Sequence, residues 1–191
     1  MIPAWNPKGI LPPIRPGVAG HHGDRSPYKA SLDAFIEVMG SSEARLDIVA
    51  DLLAFRRAIH DIGIDTGFQW IDGSFTENVE MLEGRDPRDV DVVTFFHVPA
   101  GETQASLLRK CPWLFDQAYV KHTYKVDSYW DVLGTPTEER SVRQICYWYS
   151  MWSHRRTGAW KGFVQIDLDG SQDPYAAQAL TQAKADRGVT S

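Results

Sequence analysis

Phe68-Gln-Trp-Ile-Asp-Gly-Ser74 and Asp89-Val-Asp-Val-Val-Thr-Phe-Phe96, with fourteen residues between Ser74 and Asp89, are the two stretches that decide the fold. The first is a short strand-like run that breaks at Asp72-Gly73-Ser74. The second, rich in β-branched and aromatic residues, is the strongest strand in the chain. Side chains alternate across a strand, so Asp89 and Asp91 project from one face while Val90 and Val92 take the other. Two carboxylates at ~4 Å repel by about 4 kcal/mol at an effective dielectric near 20. A bound divalent cation reverses the sign of that term, and Mg2+ favours a few carboxylate oxygens together with phosphate oxygens. The alternative is that one Asp caps the strand and the other is solvated at its mouth; on this pair alone the two readings stand level.

Working outward, residues 1–27 are rich in Pro and Gly and read as an extended arm laid over the surface. From Tyr28 the pattern becomes helical, with Leu32, Phe35, Ile36 and Met39 on one stripe and Gly40 ending it. A second helix opens on a Ser41/Ser42 cap and runs to about Ile62. Residues 102–119 read as helix that Pro112 must bend or divide. Val126–Val132 is strand-like, Glu138–Trp152 is an aromatic-rich helix, Gly162–Leu168 is a strand, and Pro174–Asp186 is helical before a loose end over 187–191. Strands alternating with helices call for a sheet covered by helices, an α/β (α+β) fold. The expected organisation is an arm over 1–27, a single domain over 28–170, and a C-terminal helix and tail over 171–191.

The 191 residues suit one domain with a substantial core. A net charge of −5, with no long run of Lys or Arg, argues against a protein that grips duplex nucleic acid through its phosphates. No apolar run approaches the ~20 residues of a membrane helix, and the Pro-rich start does not read as a signal peptide, so a cytoplasmic location is expected. Cys111 and Cys146 lack metal-like spacing and are expected as reduced core thiols. His21 and His22 are adjacent, face apart, and have no partner ligand nearby.

The chemistry gathers around the opening pair. A strand, Gly73-Ser74 and a helical turn present free backbone N–H groups where an anion docks, and the serine hydroxyl adds a donor. A phosphate-binding turn after one strand beside two acids on the next supplies the two parts needed for a cation bridging carboxylates to a phosphate chain. Asp127, at the start of the next strand, is the favoured third carboxylate and can accept the proton of an attacking hydroxyl. Asp167 is its rival, and Asp131, at a solvated strand end, is set aside. Lys121, Lys125, Arg155, Arg156 and Lys161 are candidates for phosphate or acceptor contacts, each weighed against ordinary surface charge. Tyr147, Trp148, Tyr149 and Trp152 read as core more than as a base-stacking cluster.

Trp70-Ile-Asp-Gly-Ser-Phe75 followed by Asp89-Val-Asp-Val-Val93 resembles the signature of the DNA polymerase beta-type nucleotidyltransferase superfamily: a strand, Gly-Ser, a spacer, then Asp-hydrophobic-Asp, with a third acid on a later strand. Together with the early Leu11-Pro12-Pro13 and a late Lys161-Gly-Phe-Val164, the chain is most similar to a poorly characterised bacterial and phage family of nucleotidyltransferase-like proteins. The motif covers residues 68–130, and weaker similarity covers most of the chain. The resemblance implies a mixed sheet flanked by helices. It implies that Asp89 and Asp91 ligate two Mg2+ ions, that Gly73 and Ser74 hold the triphosphate of an NTP, ATP being the expected donor, and that Asp127 activates the acceptor. The implied reaction is attack of a hydroxyl on the α-phosphate with loss of pyrophosphate. A protein or a tRNA end is the expected acceptor, in a toxin–antitoxin or phage-defence setting. Two departures stand out: a spacer slightly longer than usual, which puts a loop over 80–88 beside the phosphate site, and an unassigned third acid. The alternative is a catalytically inactive nucleotide-binding or partner-binding module, antitoxin-like, with the same fold. An oligonucleotide or second-messenger synthase is a weaker third reading, because the chain after Asp131 leaves little room for an acceptor domain.

Overall fold

A computed structural model describes residues 1–188. The loose end read for 187–191 lies, from residue 189 on, outside the described residues. In chain order the elements are β1 (Tyr28–Ala30), α1 (Leu32–Met39), α2 (Glu43–Asp61), β2 (Gly67–Asp72), α3 (Val79–Glu83), β3 (Val90–Phe96), α4 (Gln104–Lys110), α5 (Gln117–Tyr124), β4 (Val126–Val132), α6 (Glu139–Trp152), β5 (Val164–Asp167) and α7 (Asp173–Asp186). Short 3-10 turns occupy Ser74–Thr76, Pro112–Phe115 and Gly170–Gln172.

The five strands form one mixed sheet in the order β1-β5-β2-β3-β4. The pairs β1–β5 and β3–β4 are parallel, and β5–β2 and β2–β3 are antiparallel. This is the α+β architecture expected from the alternating elements. One face of the sheet, carrying Ile71, Val92, Val126 and Ile166, packs against Phe35, Leu52, Phe55 and Ala176 from α1, α2 and α7 in the main core. The other face carries Trp70, Val93 and Phe95 and is covered by Trp148 and Trp152 of α6. The aromatic helix therefore divides as an amphipathic helix should. Trp148 and Trp152 are buried and Tyr149 is half-buried, whereas Tyr147 turns to solvent.

Local chemistry explains most boundaries. Ser42 accepts the Arg45 N–H and starts α2. Pro112, which has no N–H to donate, heads the 3-10 turn that separates α4 from α5. The helical reading from Tyr28 fails at its first three residues. Tyr28 is buried, its hydroxyl donates to the Pro12 carbonyl at 2.8 Å, and Tyr28–Ala30 pair with β5 as an edge strand. A three-residue strand is too short to display its own period. The first 27 residues contain no helix or full strand, yet they do not simply overlie the surface: Ile2, Ile10 and Leu11 are buried. Residues 173–186 pack as α7 on α1 and α2, with Ala176 in the core. Cys111 is half-buried and packs against the main core, whereas Cys146 departs from expectation and is exposed on α6. Among the described residues, no helix is long and apolar enough to cross a membrane.

Candidate functional site

Sheet register puts three carboxylates side by side. Asp72, the last residue of β2, is paired with Asp91 on β3, and Asp91 is paired with Asp127 on β4. Residues directly opposite one another share a face, with Cβ atoms about 5 Å apart across antiparallel neighbours. The next row on that face is Trp70, Val93 and Tyr129, which belongs to the α6 cluster. The acidic row thus begins where the aromatic cover ends. It opens into a cleft of about 530 Å³ whose lining includes Gly73, Ser74, Asp91, Asp127, Arg156 and Lys161. Asp89 precedes β3 and joins the row through Lys121.

Gly73 turns the chain out of β2 with φ 85° and ψ −166°, a conformation that suits only glycine. A Cβ there would sit 2.6 Å from Oδ2 of Asp91, so the side-chain-free position also lets the turn lie against the acid. Ser74 then opens the 3-10 turn. The segment expected as a loop over 80–88 begins with a short helix instead: Asn78 accepts the Met81 N–H and caps α3.

Buried cations anchor this turn. Arg45 is fully buried; it donates to the carbonyls of Phe75 and Glu77 and pairs with Glu80 at 2.6 Å. Lys161, also buried, lies 3.0 Å from Asp72 and 3.0 Å from Glu77, and donates to the Gly73 carbonyl. Arg155 continues the wall by pairing with Glu77 at 2.8 Å and Glu83 at 3.3 Å. On the opposite side, Lys121 lies 2.8 Å from both Asp89 and Asp127, and Gln117 donates to the second oxygen of Asp127.

The charges do not cancel. Six carboxylates (Asp72, Glu77, Glu83, Asp89, Asp91, Asp127) face three paired cations (Lys121, Lys161, Arg155) and Arg156, and none of the ion pairs among the described residues reaches Asp91. Burial, then the neighbouring Asp72, Asp89 and Asp127, push Asp91 up to about 7. Burial also raises Asp72, against the pull of Lys161, the Gly73 N–H and Thr76. Burial alone would lower Lys161, but Asp72 and Glu77 outweigh it and keep the ammonium protonated. Burial would raise Asp127, yet the hydrogen bonds from Lys121 and Gln117 hold it below the usual carboxylate range.

Asp91 and Asp127 therefore come together beside Gly73 and Ser74, while Asp89 stands at the edge of the row, tied to it by Lys121. Asp167 does not: it is paired with Phe68, four residues along β2 from Asp72, about 13 Å away at the strand rise. It pairs with Lys29 at 2.9 Å and lines a separate groove with His60 and Asp169. Asp131, expected in solvent, has Oδ2 buried without a hydrogen-bond partner and is raised by that burial. Lys125, one of the basic candidates, pairs with Asp51 instead. Five residues of the site do not emerge from the sequence: Asp72, Glu77, Gln117, Arg45 and Tyr129. The first had a usable signal, since Trp70 and Asp72 share a strand face and Asp72 directly precedes the Gly-Ser turn. Arg45 also had one. With Arg56 it falls on the stripe of Val49, Leu52 and Ile59, and a charge on a buried stripe asks for partners.

As placed, no three His, Cys, Asp or Glu side chains among the described residues stand close enough to ligate one ion. The donor chemistry nevertheless suits a hard divalent cation. Asp91 has no counter-ion among the described residues, and such a cation needs only one or two carboxylates when phosphate oxygens and water complete its shell. A family model described as a family of unknown function, DUF6932, matches residues 3–167, and the chain belongs to that family. No curated protein and no solved structure matches it.

Proposed function

We propose that this member of the DUF6932 family is a Mg2+-dependent nucleotidyltransferase, moving a nucleoside monophosphate from an NTP, with ATP the first candidate, to a hydroxyl on a protein or a tRNA end. The observation that carries the reading is Asp91: an unpaired carboxylate between Asp72 and Asp127, against which the Gly73–Ser74 turn is packed. Asp89 and Asp91 would hold Mg2+, which when bound supplies positive charge to the triphosphate and neutralises the row. Ser74 and the backbone N–H groups of its turn would orient the phosphate chain. Arg156 and Lys161 line the same cleft, and Lys161 keeps Asp72 from adding further repulsion. The acceptor oxygen forms the new bond to the α-phosphorus as the bond to pyrophosphate breaks, and the hydroxyl proton passes to Asp127. For that transfer Asp127 must give up a contact from Lys121 or Gln117. A protein that draws on NTP would work in the cytoplasm, the location that goes with this reading.

A second reading keeps the nucleotide and drops the transfer. It is favoured by the same two contacts, because Lys121 and Gln117 occupy one oxygen each of Asp127. In that case the chain binds nucleotide or a partner without turnover. Incubation of the purified protein with each α-labelled NTP and Mg2+, with and without cell extract, separates the two. Transfer of label that disappears in Asp89→Asn/Asp91→Asn supports the enzyme and identifies the acceptor by where the label goes. Binding of nucleotide with no transfer from any NTP rejects the enzyme in favour of the module.

A further inference from the structure

We infer that Lys121 is a resident cation of the acidic row, taking one of the two positions that a pair of divalent ions would fill, so that the site accepts a single divalent ion. The inference rests on the divalent-cation reading above and concerns how many ions the row can take.

Asp72 is held by Lys161 at 3.0 Å. Asp89 and Asp127 are held by one ammonium, Nζ of Lys121 standing 2.8 Å from Oδ2 of each. Among the described residues, Asp91 alone in the row is left without a cation. The two acids that Lys121 spans come from different segments, one just before β3 and one inside β4. An ammonium between two mutually repelling carboxylates lowers their energy as a bridging metal ion does, whereas an exposed Lys beside a single acid contributes little.

The position of Lys121 is built by its helix. It lies in the last turn of α5, which Lys125 ends in the left-handed region at φ 50° before the chain enters β4 at Val126. Gln117 lies one helical turn before Lys121, on the same face, and donates to Oδ1 of Asp127. The side-chain amide and the ammonium thus clasp both oxygens of Asp127 from one helix. Asp127 is available to a second metal ion only if this clasp opens. An ammonium donates hydrogen bonds and has no empty coordination site. Beside a single metal ion at Asp91, Lys121 therefore adds positive charge and N–H donors rather than a second Lewis acid.

The test is a titration of the full chain with Mn2+ alone, followed by the loss of the electron paramagnetic resonance signal of free hydrated Mn2+. One ion per chain is expected for the unaltered protein, with binding lost in Asp91→Asn. Lys121→Met is expected to take up a second ion and to bind the first roughly tenfold more tightly, since a nearby like charge has been removed. Lys121→Arg keeps the charge and should bind one ion. Thermal melting gives a readout independent of stoichiometry: Lys121→Met should melt below the unaltered protein in chelator and recover most of the difference in Mn2+. Two ions bound by the unaltered protein would overturn the inference, and this arm needs no variant to fold. Identical stoichiometry and affinity in Lys121→Met would overturn it while leaving the divalent-cation reading in place. No Mn2+ bound by either the unaltered protein or Lys121→Met would overturn both.

Discussion

The two ends of β2 handle buried charge in opposite ways. Near Gln69, Arg56 is fully buried and completely matched: it donates to Gln69 at 2.8 Å, to Asp173 at 3.0 Å and to the Asp167 carbonyl at 3.2 Å, and His60 adds a second contact to Asp173 at 3.1 Å. At Asp72 the acids outnumber the bases and Asp91 is left alone. Both ends carry ionisable groups between packed layers, so burial alone does not distinguish them. A matched network fixes one arrangement and needs nothing more from solution. An unmatched one is held at a cost that the fold must cover, and such groups gather where a ligand completes them. The contrast locates the site more firmly than the size of either groove.

The largest effect expected from breaking this contrast is on transfer. Asp89→Asn/Asp91→Asn should lower label transfer by about a thousandfold or more, the scale on which loss of transition-state charge stabilisation is felt, with the circular dichroism spectrum unchanged. Asp167→Asn, outside the row, should leave transfer within about twofold. The opposite perturbation targets the matched end. Arg56→Met leaves Asp173 with His60 alone, and urea unfolding should report a loss of about 3–5 kcal/mol, the usual cost of stranding a buried partner. A folded Arg56→Met protein of unchanged stability would remove the distinction between the two ends.

Stability against pH sharpens the comparison further. Unfolded Asp91 ionises near 3.8, whereas in the folded protein it holds its proton up to about 7. Between those values the folded state carries the extra proton, so this group's contribution to stability falls as pH rises through the window and is lowest above 7. Asp91→Asn should flatten that decline and gain about 2 kcal/mol at pH 8, the full shift being discounted for the partial exposure of the side chain. Urea titrations at pH 5 and pH 8 measure it. An unchanged pH slope in the variant would mean that the row does not repel as its register implies. The smallest effect is reserved for an exposed pair. Loss of Lys29–Asp167 in Asp167→Asn should cost less than about 1 kcal/mol in the same unfolding measurement.

How much of this was legible depended on the range of the interaction. The strand Val126–Val132, the Ser42 cap and the break at Pro112 follow from local chemistry, and the structure follows them closely. The shared face of Asp89 and Asp91 follows from strand parity. That Asp127 rather than Asp167 joins them does not, because it depends on which strands are neighbours. The order β5-β2-β3-β4 puts Asp127 in register with Asp91 and sends Asp167 to Phe68. Asp72 was hidden differently. It sits inside Trp70–Phe75, and its significance appears only when its antiparallel partner proves to be Asp91. Gln117 was the least legible of all, and Lys121, a candidate for phosphate or acceptor contacts, proves to hold acids instead, since an exposed helix with Lys and Gln one turn apart is ordinary until an acid is placed beneath it. Tyr28 failed for a simpler reason: its three-residue strand is defined by β5, far along the chain.

Crystals of the chain grown with Mn2+ and a non-hydrolysable ATP analogue, measured at the manganese absorption edge, test the central claim most directly. The account predicts an anomalous peak within ligating distance of Asp91, with phosphate density against the Gly73–Ser74 turn. Nucleotide bound elsewhere, for instance in the groove beside His60 and Asp169, or no anomalous peak at Asp91, would contradict it.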